Sequence, residues 1–251
     1  MDDNFWYLKK SDLFERLTPE QIDRLESRCK AKTFKRGEIV YLPNDLNDLV
    51  LLVSSGRVKL YHITSDGKQA LLALVDPGEL FGELALLGNS KREEYAETME
   101  STTLILIPGK EIRQLMDEHP SVSVGVTRLM GFRMQRIERR LKSILFRSNR
   151  ERLIHLLLEL AEKYGRPTVE GVLLSIKLSH QDLASIIGST RETVTVVLGE
   201  LQDEKSISIE KRRITLPNIE QLAESIDVPP PQLKFEEDLG NRLLRQARMN
   251  S

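Results

Sequence analysis

The chain has 251 residues, of which 40% are hydrophobic and 30% charged, with a formal net charge of −1 at pH 7. This composition is typical of a globular protein of one or two domains and excludes a disordered chain. No apolar run reaches the roughly 20 residues of a membrane helix, and the first residues are acidic where a secretory signal would be basic, so we expect a cytoplasmic protein with no membrane contact.

The sequence contains no motif of a metal site or of an enzyme. The single cysteine, Cys29, excludes an internal disulfide and a cysteine-only metal site within one chain, and we interpret it as a structural residue. The histidines have no metal-ligand spacing, so we predict no metal. They are His62, His119, His155 and His180. Phosphate-loop, zinc-protease and serine-hydrolase motifs are missing, so we predict no catalytic residues and no enzyme.

The segment before residue 30 is predicted to form two short helices. Its apolar residues recur near helical spacing, and Thr18 before Pro19 is typical of an N-cap followed by the first helical position. From Thr33 to Pro108 the pattern changes to short β-rich runs about ten residues apart. Asp66-Gly67 and Pro77-Gly78 mark turns between them. This spacing predicts a sandwich or a jelly-roll barrel.

Helical composition follows from about Lys110 to Phe146. Five apolar residues recur in it at steps of 4, 3, 4 and 3, the period of a two-stranded coiled coil: Met130, Met134, Ile137, Leu141 and Ile144. A helix packed on its own domain would show the same stripe. Residues 128–152 carry nine basic and two acidic side chains, which is typical of a solvated face beside the stripe. We therefore expect these five residues to form a homodimer interface.

The C-terminal third has the pattern of a winged helix-turn-helix. After an amphipathic helix that ends at Gly165, Ser179 is expected to cap a helix over His180 to Ile187, and Gly188 ends it. Ser189 is then expected to cap a second helix at once, with Glu192 completing a capping box. Two short strands are predicted around residues 211–213. Helix, short turn and helix form the motif that enters the DNA major groove.

These residues together resemble the CRP/FNR family of bacterial transcription regulators, over about residues 5–217. The resemblance rests on FGELALL at 81–87, the long helix, and SHQDLASIIGSTRETV at 179–194. KLSHQ at 177–181, IGSTR at 187–191 and RRIT at 212–215 are similar to the NtcA/DevH branch of the family.

The resemblance implies an α+β fold: an N-terminal double-stranded β-helix (a jelly-roll of the cyclic-nucleotide-binding kind), a long dimerisation helix and a C-terminal winged helix-turn-helix. We assign residues 1–109 to the β-roll with its N-terminal helices, 110–147 to the dimerisation region, 148–217 to the DNA-binding domain and 218–251 to a C-terminal extension. The implied partners are double-stranded DNA with a palindromic promoter site, a second copy of the chain, RNA polymerase, and a regulatory protein or small molecule.

Arg191 is the first candidate for base recognition, because an arginine in the first turn of the second helix can donate two hydrogen bonds to guanine. Glu192 has two alternatives, the capping box or acceptance from cytosine. Val196 stands where many cyclic-AMP regulators carry a second arginine, so the preferred sequence should differ from theirs, and GTA and TAC half-sites are expected. The remaining candidates position the protein on DNA: Ser179, His180, Gln181, Thr190, Thr193, Thr195, Lys211, Arg212 and Arg213.

The effector has several alternatives. Family members that bind cyclic AMP hold its phosphate with a Gly-Glu-Leu run and an Arg-Ser-Ala; this chain keeps the first and the arginine but has two glutamates in place of Ser-Ala, which impairs a phosphate site. Members that bind 2-oxoglutarate use a roll arginine and two residues of the dimer helix. The resemblance places the latter two on Arg133 and Glu138, whereas the roll arginine falls on Glu94, and Arg92, two residues earlier, is the alternative for it. The candidate residues are Phe81, Gly82, Glu83, Leu84, Arg92, Arg133 and Glu138, with Glu93 and Glu94 as the replacements.

Three further interpretations of what the roll binds remain open. Residues 92–94 form a solvated surface turn with no ligand, or the roll binds another nucleotide, or it binds a protein. A different class of function is also open, in which the chain is a cytoplasmic ligand- or protein-binding module with a vestigial helix-turn-helix. Target promoters, and activation against repression, do not follow from the sequence.

Overall fold

The computed structural model describes residues 17–65, 67–88 and 91–233. It divides into two compact units between Glu138 and Arg139. The first predicted helix, around Leu13, and the residue Asp66 of the predicted hairpin turn lie outside the described residues.

The first unit begins with helix α1, Pro19–Glu26. Thr18 caps it in a full capping box with Gln21, which confirms the predicted start of this helix. Eight strands follow: β1 Lys30–Phe34, β2 Ile39–Tyr41, β3 Leu49–Ser55, β4 Val58–Ile63, β5 Gln69–Val75, β6 Leu80–Phe81, β7 Tyr95–Thr98 and β8 Thr102–Pro108. A short 3-10 helix, Glu83–Leu87, lies between β6 and β7.

The eight strands form two antiparallel four-stranded sheets, ordered β1-β8-β3-β6 and β2-β7-β4-β5. One apolar cluster fills the space between the sheets and includes Leu51, Val53 and Phe81. A second cluster covers the outer face of the first sheet and includes Val50, Leu52 and residues of the neighbouring helices. Because β3 is buried on both faces from Val50 to Val53, its first five residues are continuously apolar instead of alternating. The jelly-roll prediction is confirmed.

Two helices follow the roll: α2, Gly109–Glu118, and α3, Pro120–Phe146, which has 27 residues. The boundary between the two units falls within α3. The sequence pattern suggested one continuous helical stretch here. The helix is interrupted at His119, whose backbone is extended (φ −132°, ψ 98°), because a residue before proline is sterically disfavoured in the α region. In the described part of the chain, none of the helices combines the length and apolarity needed to cross a bilayer.

The second unit contains helix α4, Asn149–Tyr164, strands β9 Gly165–Thr168 and β10 Gly171–Leu174, helices α5 His180–Ile187 and α6 Arg191–Asp203, strands β11 Ser208–Glu210 and β12 Arg213–Leu216, and helix α7 Ile219–Glu224. The strands form one sheet ordered β11-β12-β10-β9. The predicted winged helix-turn-helix is confirmed.

Two elements of this unit were missed by the sequence analysis. The β9–β10 hairpin starts at Gly165, which was interpreted only as the end of a helix; its backbone is extended and leads directly into β9. Helix α7 is capped by Asn218 and buries Ile219, Leu222 and Ala223. Residues 219–224 are therefore packed into the second unit, although they were assigned to a C-terminal extension. Residues 234–251 of that extension lie outside the described residues.

Candidate DNA-binding surface and effector pocket

The second helix of the helix-turn-helix, α6, presents a polar face beside a buried apolar face. Val194, Val197, Leu198 and Leu201 are buried and attach the helix to the unit. Arg191 and Glu192 occupy the first two positions of the helix and are exposed, and Val196 is 60% exposed one turn later. The predicted base-reading residues therefore lie together on an accessible surface.

The start of α6 differs from the prediction. The N-cap is Thr190 and not Ser189: the Thr190 Oγ1 atom accepts a hydrogen bond from the Thr193 amide at 3.2 Å. The third helical position is then Thr193, so the predicted capping box with Glu192 is wrong. The two threonine hydroxyls are 3.0 Å apart and bond to each other instead. Of the two predicted roles of Glu192, the capping box is excluded, and acceptance from cytosine stays a prediction.

Several predicted phosphate-contacting groups have partners within the protein. Ser179 caps α5 in a capping box with Asp182. The Thr195 hydroxyl donates to the Arg191 carbonyl at 2.8 Å and lies 2.8 Å from His180 Nδ1, which links the first turn of α5 to α6. These side chains hold the two helices together. Gln181 is exposed on α5.

The wing places three basic residues at its tip. Lys211 and Arg212 form the two-residue turn between β11 and β12, and both have positive φ (47° and 64°). Arg213 begins β12 opposite Glu210. All three basic side chains are exposed. Two positive φ values are the geometry of a type I′ hairpin turn, which twists with its strands.

The predicted effector residues of the roll surround the turn between β6 and the 3-10 helix. Phe81 is fully buried, and Gly82 has φ 75°, a value that favours glycine. A Cβ atom at Gly82 would lie 2.6 Å from Arg92 Nη1, so close approach of Arg92 also requires glycine here. Glu83 is 3% exposed, whereas Leu84 is 42% exposed.

Arg92 is buried and bonded inside the roll. It is 4% exposed; its Nη1 donates to the Gly82 carbonyl at 2.8 Å, its Nη2 donates to the Leu49 carbonyl, and its guanidinium lies 4.7 Å from the Tyr41 ring centroid. The interpretation of residues 92–94 as a solvated turn is therefore wrong for Arg92, because two backbone carbonyls and an aromatic ring enclose it. Among the described residues, Arg92 Nε is buried without a hydrogen-bond partner.

The two glutamates that follow Arg92 have different environments. Glu93 is exposed, whereas Glu94 accepts a hydrogen bond from the Tyr41 hydroxyl at 2.6 Å. Burial, together with the Glu94 carboxylate, raises the pKa of Tyr41 far above its usual range, so this hydroxyl remains a donor. Tyr41 thus stacks on Arg92 and bonds to Glu94, a role that the sequence did not indicate.

Arg133 of α3 reaches the same region. Its Nη1 forms an ion pair with Glu83, and its Nη2 donates to the Leu80 carbonyl at 2.5 Å. The second carboxylate oxygen of Glu83 is buried without a hydrogen-bond partner among the described residues. Glu138, the other predicted effector residue on α3, is exposed. The structure thus brings Arg133 and Glu83 together but does not add Glu138 to them.

The predicted dimer stripe is largely exposed. Met134, Ile137, Leu141 and Ile144 are 61%, 64%, 55% and 41% exposed, whereas Met130 is partly buried against the roll core.

The cysteine and the metal predictions concern other parts of the chain. Cys29 packs against the roll core, and burial with Glu26 and Glu111 nearby raises the pKa of its thiol to about 12. Thiolate chemistry at neutral pH is disfavoured at such a value. Residues 17–65, 67–88 and 91–233 contain no group of three or more histidine, cysteine, aspartate or glutamate side chains that could hold a metal ion.

Two family models match the chain in the order that the fold suggests. Residues 31–119 match the cyclic nucleotide-binding domain, and residues 151–225 match the Crp-like helix-turn-helix domain.

Relatives of known class extend this match over most of the chain. The Global nitrogen regulator of Nostoc sp. is 33% identical over 187 residues, covering 74% of this chain and 84% of that protein. The Cyclic AMP receptor protein of Thermus thermophilus is 31% identical over 197 residues, covering 78% and 88%. A solved CRP/FNR-family transcriptional regulator from Thermus thermophilus is 30% identical with a TM-score of 0.63, covering 79% and 98%.

A two-sheet roll, a long helix and an exposed recognition helix define the chain as a DNA-binding transcription regulator with a winged helix-turn-helix. The chain belongs to the CRP/FNR family, and its relatives include the global nitrogen regulators, as the residues at 177–191 suggested.

Proposed function

We propose that the protein binds palindromic promoter DNA as a homodimer and thereby controls transcription by RNA polymerase in the cytoplasm. The observation that carries this proposal is the exposed pair Arg191 and Glu192 at the start of α6. A charged pair at this end of a recognition helix is placed where side chains contact base edges in the major groove.

Arg191 is proposed to recognise guanine through its O6 and N7 atoms, and Glu192 to accept from cytosine N4. The Thr190 cap supports the role of Glu192, because it leaves the Glu192 carboxylate without a capping task. Val196 offers an apolar contact to a thymine methyl. GTA and TAC half-sites, with centres about 10.5 base pairs apart, remain the proposed target.

The homodimer is supported by the stripe on α3. Four large apolar side chains between Met134 and Ile144 are 41–64% exposed on one helix face in a single chain. A face of this kind is expected to bury itself against a second copy with the same heptad pattern. One stripe from each chain forms a self-complementary interface with twofold symmetry, which matches a palindromic site.

For the roll, we propose that cyclic AMP is not the effector. Arg92, the arginine that would bind its phosphate, already donates to two backbone carbonyls. Glu94, two residues later, adds a negative charge nearby, where it accepts a hydrogen bond from the Tyr41 hydroxyl. 2-Oxoglutarate is the effector to test first, because the Arg133 guanidinium on α3 is 30% exposed, unlike the buried Arg92, although it is bound to Glu83 and to the Leu80 carbonyl. Binding would require Arg133 to exchange Glu83 for the ligand carboxylate.

The test begins with selection of the preferred operator from a random duplex pool by the wild-type protein. Fluorescence anisotropy then compares this operator with a scrambled duplex at fixed salt, with and without 2-oxoglutarate or cyclic AMP. Arg191→Ala should weaken operator binding by about 1–3 kcal/mol and keep the weak, salt-dependent binding to scrambled DNA. Arg166→Ala, at an exposed arginine of β9, is the control with equal charge loss.

The results separate the alternatives. Specific binding that 2-oxoglutarate strengthens supports a gated regulator, and indifference to both molecules supports a regulator without these effectors. If no operator is enriched and Arg191→Ala changes nothing, the helix-turn-helix is vestigial and the chain is a binding module of another kind.

A further inference from the structure

The C-terminal end of α5 has an unusual set of hydrogen-bond donors. The last four carbonyls of any helix have no partner within that helix. In α5, the Ala184 carbonyl accepts from the amides of Gly188 and Ser189, with the Ser189 nitrogen at 3.0 Å. The next three carbonyls, those of residues 185–187, receive arginine side chains from two earlier helices.

Arg140 comes from the last part of α3. Its Nη2 donates to the Ser185 carbonyl at 3.0 Å and to the Ile186 carbonyl. Arg152 comes from the first turn of α4, and its Nη1 donates to the Ile187 carbonyl at 3.0 Å. We refer to Arg140 and Arg152 as the arginine clamp.

Further contacts hold both arginines of the clamp in place. Arg152 Nε donates to the Arg147 carbonyl at 3.0 Å, which fixes the guanidinium to the segment between α3 and α4. Arg140 is only partly exposed, and this burial lowers its pKa, although a guanidinium remains charged in proteins. Two positive charges at the C-terminal end of α5 also interact favourably with its dipole.

The turn beyond the clamp is short and packed. Gly188 has φ 65°, and a Cβ atom there would lie 3.8 Å from Ile144 Cδ1, in the last turn of α3. Only Gly188, Ser189 and the N-cap Thr190 separate the last clamped carbonyl, that of Ile187, from Arg191. The position of Arg191 therefore depends on how α5 is attached to the end of α3.

We propose that Arg140 and Arg152 are positioning residues: they hold the end of α5 to α3 and α4, and through the short turn they fix the base-reading helix α6 and so set the spacing of the two half-sites. This inference rests on the proposed homodimer and palindrome. In such a dimer, each clamp holds the end of one α5 helix, and through the turn at Gly188 the recognition helix that follows it, to the end of α3. Without the clamp, each helix-turn-helix keeps its own base contacts, but simultaneous engagement of both half-sites loses its geometric constraint.

The experiment uses the full-length protein and the operator that the wild type selects. Three duplex types are compared by anisotropy: the selected palindrome, palindromes with the spacer changed by one to three base pairs, and a duplex with a single half-site. The variants are Arg140→Met and Arg152→Met, which cannot donate to the carbonyls. Arg136→Met is the matched control, because Arg136 is an exposed arginine one turn earlier on the same helix.

A positioning role predicts a loss of about tenfold or more on the selected palindrome and a flatter dependence on spacer length, with single half-site affinity within about threefold of wild type. Arg136→Met should keep the wild-type spacer preference. Equal losses on all duplexes, including the single half-site, would show that the clamp only stabilises the fold and would overturn the inference. Unchanged spacer preference would overturn it as well.

The proposed function is judged separately, on the wild type. If wild-type protein sediments as a dimer and prefers one spacer, the homodimer and palindrome stand whatever the clamp variants do. If it is a monomer or shows no spacer preference, the proposed function fails before the variants are considered.

Discussion

Thr190 accepts a hydrogen bond from the amide of Thr193 and thereby begins the recognition helix one residue later than the sequence pattern suggested. Both Ser189 and Thr190 are good N-cap residues. The αL backbone of Gly188 and the bond from the Ser189 amide to the Ala184 carbonyl keep Ser189 in the turn. The choice between two adjacent caps is thus made by the end of the preceding helix.

Thr190→Ala should lower the free energy of unfolding by about 1 kcal/mol, because it leaves the Thr193 amide without its acceptor. Ser189→Ala is the matched control and should change it by less than about 0.5 kcal/mol. Urea unfolding followed by circular dichroism measures both. A larger effect for Ser189→Ala than for Thr190→Ala would contradict the assigned cap.

Ile137→Glu should convert a dimer to a monomer, because it places a charge in the centre of the apolar stripe on α3. Phe132→Glu is the control: Phe132 is 65% exposed, as Ile137 is 64% exposed, but lies about 140° away around the helix. Sedimentation velocity distinguishes the two species. A dimeric Ile137→Glu variant, or a monomeric Phe132→Glu variant, would place the interface on another face.

Arg92→Met should destabilise the ligand-free protein by about 1–3 kcal/mol, because the Leu49 and Gly82 carbonyls lose a charged donor. The expected fall in Tm is about 2–4 °C for each kcal/mol. Lys35→Met, at an exposed lysine of the same unit, should have little effect. If the function of Arg92 is instead to bind an anionic ligand, its replacement would leave the Tm of the ligand-free protein unchanged or higher.

His155 predicts a pH dependence of stability in α4. Burial, with Arg147 and Arg139 nearby, lowers the pKa of His155 from 6.5 to about 4. Glu159 Oε1, 3.6 Å from Nδ1, acts in the opposite direction but does not offset these effects. Between pH 6.5 and 4 the unfolded chain takes up a proton that the folded chain does not, so stability falls as the pH is lowered through this range.

His155→Gln tests this sign directly. The wild type should lose roughly 1–3 kcal/mol more than the variant between pH 7 and 4, measured as free energies of unfolding in urea. His62→Gln, at an exposed histidine of the roll, serves as the control for the general acid sensitivity of the protein. Parallel pH profiles for wild type and His155→Gln would show that folding does not lower the pKa of His155.

The sequence predicted those elements that depend on residues close together in the chain, such as helix caps and heptad repeats. Ser179 with Asp182 three residues later starts α5 as a capping box, and the heptad spacing of Met134 to Ile144 places these side chains on one exposed face. The β9–β10 hairpin was missed because Gly165 and Pro167 indicate a helix end equally well. A six-residue helix such as α7 is too short for periodicity to reveal.

The environment of Arg92 lay beyond the sequence for a different reason. Its partners are backbone carbonyls of Leu49 and Gly82 and the ring of Tyr41, and carbonyls carry no sequence signature. The same holds for Arg140, whose acceptors are the carbonyls at the end of α5. In both cases the charge was noticed, but only the fold identifies what it binds.

At the turn between β11 and β12, the residues that would be best for stability differ from those that would be best for binding a polyanion. Lys211 and Arg212 hold left-handed backbone angles that glycine and asparagine adopt at lower cost. Replacing the two residues by Asn-Gly should therefore raise thermal stability, and the same change would remove two cations from the surface that is proposed to face the DNA phosphates. If this contact with DNA is made, thermal stability and DNA affinity favour different residues at these two positions.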